Sequence, residues 1–261
     1  MAGSTVTFME AFSSLPVRRV VGEPGADSAV GASDAVGASG ADDHVWPFSI
    51  PAVSQLLREG MELSELTILV GENGVGKSTI IEAIAMAYGF SPEGGSKITR
   101  DSPRPTESPL HEHIRLSRGI ARSRWGYFVR AETMHGLLTY LEEHPGSDPR
   151  YHERSHGEAF TDLLATKLVY MADRGGFLVM DEPEAGLSLI SQLKLANQLA
   201  ELREDEIQVL MATHSPILAA TPGARIIELD EYGFQESAWK ELSTVALYRR
   251  FLEDPTYFGL G

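Results

Sequence analysis

Three short stretches of the chain are almost wholly apolar, residues 66–70 (Leu-Thr-Ile-Leu-Val), 176–180 (Gly-Phe-Leu-Val-Met) and 207–212 (Ile-Gln-Val-Leu-Met-Ala), and a fourth, 224–229 (Ala-Arg-Ile-Ile-Glu-Leu), is mostly so. Short, dense runs rich in β-branched residues suit strands buried on both faces of a parallel sheet. Between them the apolar residues recur at helical spacing. Ile80, Ile81, Ile84 and Ala85 mark a helix ending near Gly89. Leu189, Leu193, Ala196, Leu199 and Ala200 predict a buried face for a helix over 188–203. Pro51 opens a helix to about Glu59 with Gly60 past its end, and residues 242–253 predict a closing helix. Strands are also expected at 17–21 and 125–130, and a hairpin return at 232–239. Alternating strands and helices predict a doubly wound α/β fold with a mostly parallel central sheet flanked by helices. Functional groups then belong at the carboxyl ends of the strands.

Three segments fall outside this alternation. Residues 1–16 show no sustained periodicity. Residues 22–43 are mostly Gly, Ala, Ser and Asp, with one Pro and no aromatic, and repeat Ala-Val-Gly-Ala-Ser. Such a composition has too little apolar surface to offset its ordering entropy, which predicts a disordered linker. Residues 91–109 are Pro- and Gly-rich and read as an irregular excursion. Helices are expected again at 133–143 and from Ser155 to about Met171. The ordered domain is thus expected over 44–261. Trp46 and Phe48 open it, and each suits core packing or stacking on a purine ring.

The first apolar run leads directly into Gly71-Glu-Asn-Gly-Val-Gly-Lys-Ser78, an unbroken G-x-x-x-x-G-K-[ST], and then into a helix. Strand, glycine loop and helix are the three parts of a phosphate cradle. Gly71, Gly74 and Gly76 let the backbone turn and approach a polyphosphate with no Cβ in the way. The helix start supplies free N–H groups and its positive dipole end. Lys77 places a charge on the β- and γ-phosphates, and the Ser78 hydroxyl suits Mg²⁺. Glu72, Asn73, Val75 and Thr79 complete the nucleotide-contacting loop.

Two further polar clusters end apolar runs. Asp181 suits a Mg²⁺-binding carboxylate, and Glu182 a base that orients or deprotonates an attacking water. His214 ends the third run, where it is placed to bond a γ-phosphate or to hold Glu182 and the water. Ser155-His-Gly-Glu158 precedes a helix and is a capping box. The same geometry makes an anion site at a helix start, and the two roles are compatible.

Composition narrows the setting. The chain has 261 residues, 43% of them hydrophobic, so one large core or two small ones can form. It contains no Cys, which excludes disulfides and thiolate metal sites. No run reaches the ~18 apolar residues a membrane-spanning helix needs, and no secretory signal is visible. A cytoplasmic protein is therefore expected. The net charge of −15 should make most of the surface repel nucleic acid. Residues 97–130 run against this, with eight basic residues, Arg115, Arg118 and Arg130 among them, against three acidic ones. Such an island suits nucleotide phosphates or an acidic partner, or else a solvated loop of paired charges.

Taken in order, residues 71–79, 155–158, 178–184 (Leu-Val-Met-Asp-Glu-Pro-Glu), 185–188 (Ala-Gly-Leu-Ser) and 212–215 (Ala-Thr-His-Ser) resemble an ABC-type ATPase, and more closely the small stand-alone bacterial AAA-family ATP-binding proteins. The resemblance spans about residues 45–255. It implies a P-loop NTPase fold, an ABC-type ATPase head with residues 91–172 as an arm and small helical subdomain, and ATP and Mg²⁺ as cofactors. It assigns Lys77, Ser78, Asp181, Glu182 and His214 the roles above. It also implies an ATP-sandwiched homodimer in which Ser155 and Gly157 act across the subunit boundary and 185–188 lie at the seam. Two departures stand out. The signature is Ser-His-Gly-Glu where transporters carry Leu-Ser-Gly-Gly-Gln, and the expected Gln before the helical subdomain is replaced by Arg130, with Glu132 two residues on. The alternatives to a stand-alone ATPase are the ATP-binding subunit of a membrane transporter and a nucleic-acid-linked repair or defence ATPase.

Lys77 is the only side-chain cation of the loop. Lys77→Ala should weaken Mg-ATP binding and abolish turnover, as calorimetry and phosphate release will show.

Overall fold

The computed structural model describes residues 14–23, 45–96, 108–120, 125–130, 175–203 and 205–259. The first strand, β1 (Arg19–Gly22), is followed by α1 (Pro51–Glu59), β2 (Met61–Glu62), β3 (Leu66–Gly71) and α2 (Lys77–Tyr88). Then come β4 (Gly95–Ser96), a 3₁₀ turn (Pro109–Glu112), β5 (Ile114–Ser117) and β6 (Gly126–Arg130). The C-terminal half holds β7 (Gly176–Asp181), α3 (Leu189–Glu201), β8 (Ile207–Thr213), α4 (Pro216–Ala219), β9 (Arg225–Leu229), β10 (Phe234–Glu236) and α5 (Ser243–Glu253).

Among the described residues, seven strands form the central sheet in the order β10-β9-β3-β8-β7-β6-β4. The five inner strands are parallel, and the edge strands β10 and β4 run antiparallel. This is the expected mostly parallel α/β sheet. Every residue of β3, β7 and β8 is buried, as near-continuous apolar runs require in a sheet covered on both faces. Alternate side chains feed two cores. Leu69, Val179, Leu210 and Ile227 pack with α1 and α2 on one face. Ile68, Met180, Val209 and Ile226 pack with α3 and α4 on the other. A second, antiparallel sheet, β2-β1-β5, lies outside the main one.

Several expectations shift. The first strand begins at Arg19, because the backbone of Val17 is taken by a side chain: Val17 N donates to Gln208 Oε1 at 2.9 Å, and Gln208 Nε2 donates to Val17 O at 2.6 Å. Order also continues past the expected linker boundary. Gly22 pairs with Ile114, and Glu23 binds Arg115 at 2.6 Å. Residues 24–44 lie outside the described residues, as do the helices expected at 133–143 and 155–171. The expected excursion at 91–109 includes the short edge strand β4, paired with β6.

The buried face of α3 is only partly the one expected: Ala196 and Leu199 are buried as expected. Ser191, Leu195, Ala196 and Leu199 face the sheet, while Leu189 and Leu193 are 59% and 45% exposed. At about 100° per residue, these two lie roughly 100–140° round the helix from the buried stripe. Both stripes are apolar, and the sheet packs against only one.

Gln208 is 1% exposed and makes three bonds, the third from Nε2 to Ser64 O at 3.0 Å. It ties the N-terminal segment to the main sheet. Gln208→Ala strands these buried backbone groups, each at a cost of about 1–3 kcal/mol where water does not reach it. The variant should lose about 2–4 kcal/mol of unfolding free energy in urea titrations.

Candidate active site

β3 ends at Gly71, and the loop to α2 reverses the chain through two glycines in the left-handed region. Gly74 has φ +85° with no atom within 4 Å of where a Cβ would sit, so its face of the loop is open to a ligand. Gly76 has φ +100° and caps α2, but a Cβ there would press on the Ile50 side chain at 2.8 Å. Gly76 is therefore required by packing as well as by turn geometry. Lys77, the first residue of α2, is 4% exposed and donates from Nζ to Glu72 O at 2.8 Å, closing the loop on itself. Burial pulls its pKa down, and the carboxylates of Glu182, Asp181 and Glu184 pull it back up. Three acids from another strand end thus share the field of the loop cation.

They arrive there by strand register. Asp181 ends β7 between Ala212 of β8 and Arg130 of β6. Its carboxyl is 7% exposed and hydrogen-bonded to Ser78, the second residue of α2. Desolvation raises its pKa from 3.8 to about 6, against the lowering effects of the Ser78 bond and the Arg130 charge. Its Oδ1 is buried with no hydrogen-bond partner among the described residues. A hydroxyl beside a carboxylate with one spare, dry oxygen is a donor set that fits Mg²⁺, which takes one or two protein oxygens and fills its shell with phosphate oxygens and water. Ser78 and Asp181 would hold that ion. Among the described residues no group of three or more acidic or imidazole side chains could hold a metal without such help.

Glu182 follows with φ +49°, a left-handed conformation unusual outside glycine. Glu182 Oε1 lies 2.9 Å from His214 Nε2. A carboxylate oxygen only accepts, so this pairing assigns the proton to Nε2. Both side chains are partly exposed, at 40% and 32%, open enough to meet a water and a phosphate. The site therefore joins a cation, a metal-type donor pair and a carboxylate–imidazole pair at the ends of β3, β7 and β8. That arrangement can bind a polyphosphate and activate water beside it.

Ser155, Gly157 and Glu132 lie outside the described residues. Arg130 is held elsewhere: it pairs with Glu82 at 3.0 Å and donates to Pro92 O at 2.7 Å. Glu82 was not among the expected residues, though its position four residues after Ser78 places it on the same face of α2. Glu184 was also missed, although the polar run Asp-Glu-Pro-Glu contains it. Of the two aromatics, Phe48 is buried edge-on to His113, whereas Trp46 is 55% exposed and does not join the core. The described arginines of the basic stretch all have partners: Arg115 binds Glu23, Arg118 lies 4.8 Å over the Tyr88 ring, and Arg130 binds Glu82.

Residues 66–161 match the family model "AAA domain, putative AbiEii toxin, Type IV TA system". Among curated proteins, an uncharacterized ABC transporter ATP-binding protein of Haemophilus influenzae is 26% identical over 210 residues, covering 71% of this chain and 78% of its own. The zinc import ATP-binding protein ZnuC of Vibrio cholerae is 28% identical over 212 residues, covering 77% and 78%. The xylose/arabinose import ATP-binding protein XylG of Sulfolobus acidocaldarius is 27% identical over 210 residues, covering 70% and 81%.

The raised pKa of Asp181 makes stability depend on pH. The folded chain holds this proton more tightly than the unfolded chain, so stability falls as pH rises from about 4 to about 6 and stays lower above that. Asp181→Asn has no proton to lose. In EDTA without nucleotide, its unfolding free energy should gain on the wild type by about 2 kcal/mol between pH 4 and pH 7, as denaturant titrations will show.

Proposed function

Because the chain is an ABC-type P-loop ATPase, an enzyme that hydrolyses ATP, we propose that it turns over Mg-ATP as a homodimer with the nucleotide sandwiched between subunits. The observation that supports hydrolysis in this reading is the Glu182–His214 pair at 2.9 Å, beside the buried Lys77 and the Ser78–Asp181 pair. Lys77 holds the β- and γ-phosphates, as the backbone N–H groups of residues 72–79 do, and the exposed ring of Trp46 stacks on the adenine. Mg²⁺, held by Ser78 and Asp181, neutralises phosphate charge when bound. Glu182 accepts a proton from the water that attacks the γ-phosphorus as the bond to the ADP oxygen breaks. His214 holds Glu182 in line. Ser155 and Gly157 of the second subunit close on the γ-phosphate, and residues 185–188 meet at the seam. Binding joins the subunits and hydrolysis releases them.

A second reading has support from the relatives, whose names describe ATP-binding proteins of transporters. In it the same cycle drives a membrane partner, although no helix among the described residues is long and apolar enough to cross a membrane itself. The paired arginines of residues 115–130 give the nucleic-acid reading no free cation among the described residues of that stretch.

Glu182→Gln keeps the side-chain shape and removes the base. It should slow hydrolysis by about 10²–10⁴-fold with little change in ATP affinity. It should sediment as a dimer with Mg-ATP and as a monomer with Mg-ADP. Adding Ser155→Arg should abolish the dimer while each monomer still binds ATP. A dimer that survives the double substitution would reduce Ser155 to a helix cap.

A further inference from the structure

His214 lies between the end of β8 at Thr213 and the start of α4 at Pro216. Its backbone N–H, just past the strand, is taken by a side chain: it donates to Glu184 Oε1 at 2.6 Å. A bond this short to a carboxylate is charge-assisted, roughly twice as strong as one between neutral groups. The acceptor is itself well anchored. Glu182 N donates to Ala212 O at 3.0 Å, Ala185 N to Glu182 O at 3.1 Å, and Leu187 N to Glu184 O at 2.8 Å. The turn that carries Glu184 is thus fastened to β8 at one end and to itself at the other. A second tether runs in parallel. Ser215 Oγ donates to Gln192 Oε1 at 2.6 Å, and Gln192 Nε2 donates to Leu187 O at 3.1 Å.

We infer that Glu184 is a positioning residue for ATP hydrolysis. It fixes the main chain of His214 so that the imidazole meets Glu182, and it touches no reacting atom. The inference rests on the reading above, in which Glu182 and His214 work as a pair. With the His214 N–H held by Glu184, the 2.9 Å contact is set by the side-chain torsions of His214 and Glu182. Without that hold, the loop between β8 and α4 keeps the Ser215–Gln192 tether and the bonds of Ser215 to Thr213, Ile217 and Leu218, all of which lie one residue further on and leave His214 N unheld. The carboxylate also contributes to the field at Lys77. Charge and position are therefore two separable ways for Glu184 to act, and the inference commits to position. The second oxygen, Oε2, is buried with no hydrogen-bond partner among the described residues, so only Oε1 does the holding.

Two substitutions separate the roles. Glu184→Gln keeps the length and an accepting oxygen but removes the charge. Glu184→Asp keeps the charge but draws the acceptor back by one methylene. Position predicts that Glu184→Gln retains kcat within about threefold. It predicts that Glu184→Asp loses about 10- to 100-fold in kcat, with KM for ATP within about twofold, since a misplacement of ~1 Å can cost this much. In a His214→Ala background, Glu184→Asp should lower kcat no further, because the group it positions is gone. Melting curves of all variants give the folded fraction, by which kcat is corrected. Wild-type kcat in Glu184→Asp, losses that multiply in the double variant, or a raised KM with low kcat in Glu184→Gln would each overturn the inference and leave the Glu182–His214 pair standing. Wild-type kcat in His214→Ala would overturn the pair and the inference together.

Discussion

Five parallel strands packed on both faces leave little room for a charged side chain along their length. Burying an unpaired charge there would cost several kcal/mol, and the fully buried β3, β7 and β8 carry none before their last residue. Ionic chemistry is displaced to the point where the strands end and the chain turns back. Register then decides which ends meet. Val70 lies beside Thr213, Asp181 beside Ala212, and Arg130 beside Asp181. A one-residue slip in any pair would send the alternating side chains to the wrong core, so the two cores that stabilise the sheet also align the site.

Burial gives the site its electrostatic character. Lys77 is made easier to deprotonate and Asp181 harder to ionise, each by loss of water. Each is relieved in part by the other's charge or by a neighbour. The Arg130–Glu82 pair, at 19% and 15% side-chain exposure, adds a second compensated couple behind Asp181. A magnesium-bound polyphosphate, as proposed here, would supply what both buried groups lack: anionic oxygens for Lys77 and a cation for Asp181.

Glu182 must reach His214 for such a site to work, and one backbone torsion achieves this. An extended residue at 182 would continue the alternation of β7 and aim its side chain at the core opposite to that of Asp181. The left-handed φ of +49° at Glu182 directs the side chain to His214 instead. Such a conformation costs of order 1–3 kcal/mol outside glycine. The Glu182 N–H bond to Ala212 O and the turn bonds beyond it hold the residue there.

The local sequence carried most of the fold. Dense apolar runs of five or six residues have one stable use in a chain of this length, as strands covered on both faces, and β3, β7, β8 and β9 lie where those runs stand. The glycine loop, Lys77, Ser78, Asp181, Glu182 and His214 were legible for the same reason, because a polar group at the end of an apolar run must lie at a strand end. Tertiary structure decided what depends on partners distant in the chain. Gln208 took the backbone of Val17 and moved the start of the first strand. The sheet chose between the two apolar stripes of α3 and left Leu189 and Leu193 outside. Arg130 was drawn to Glu82, and Glu184 became the acceptor for His214 N. Each of these is a hydrogen bond, ion pair or packing contact between segments whose separation in sequence says nothing of their distance in space, and only the folded register brings them together.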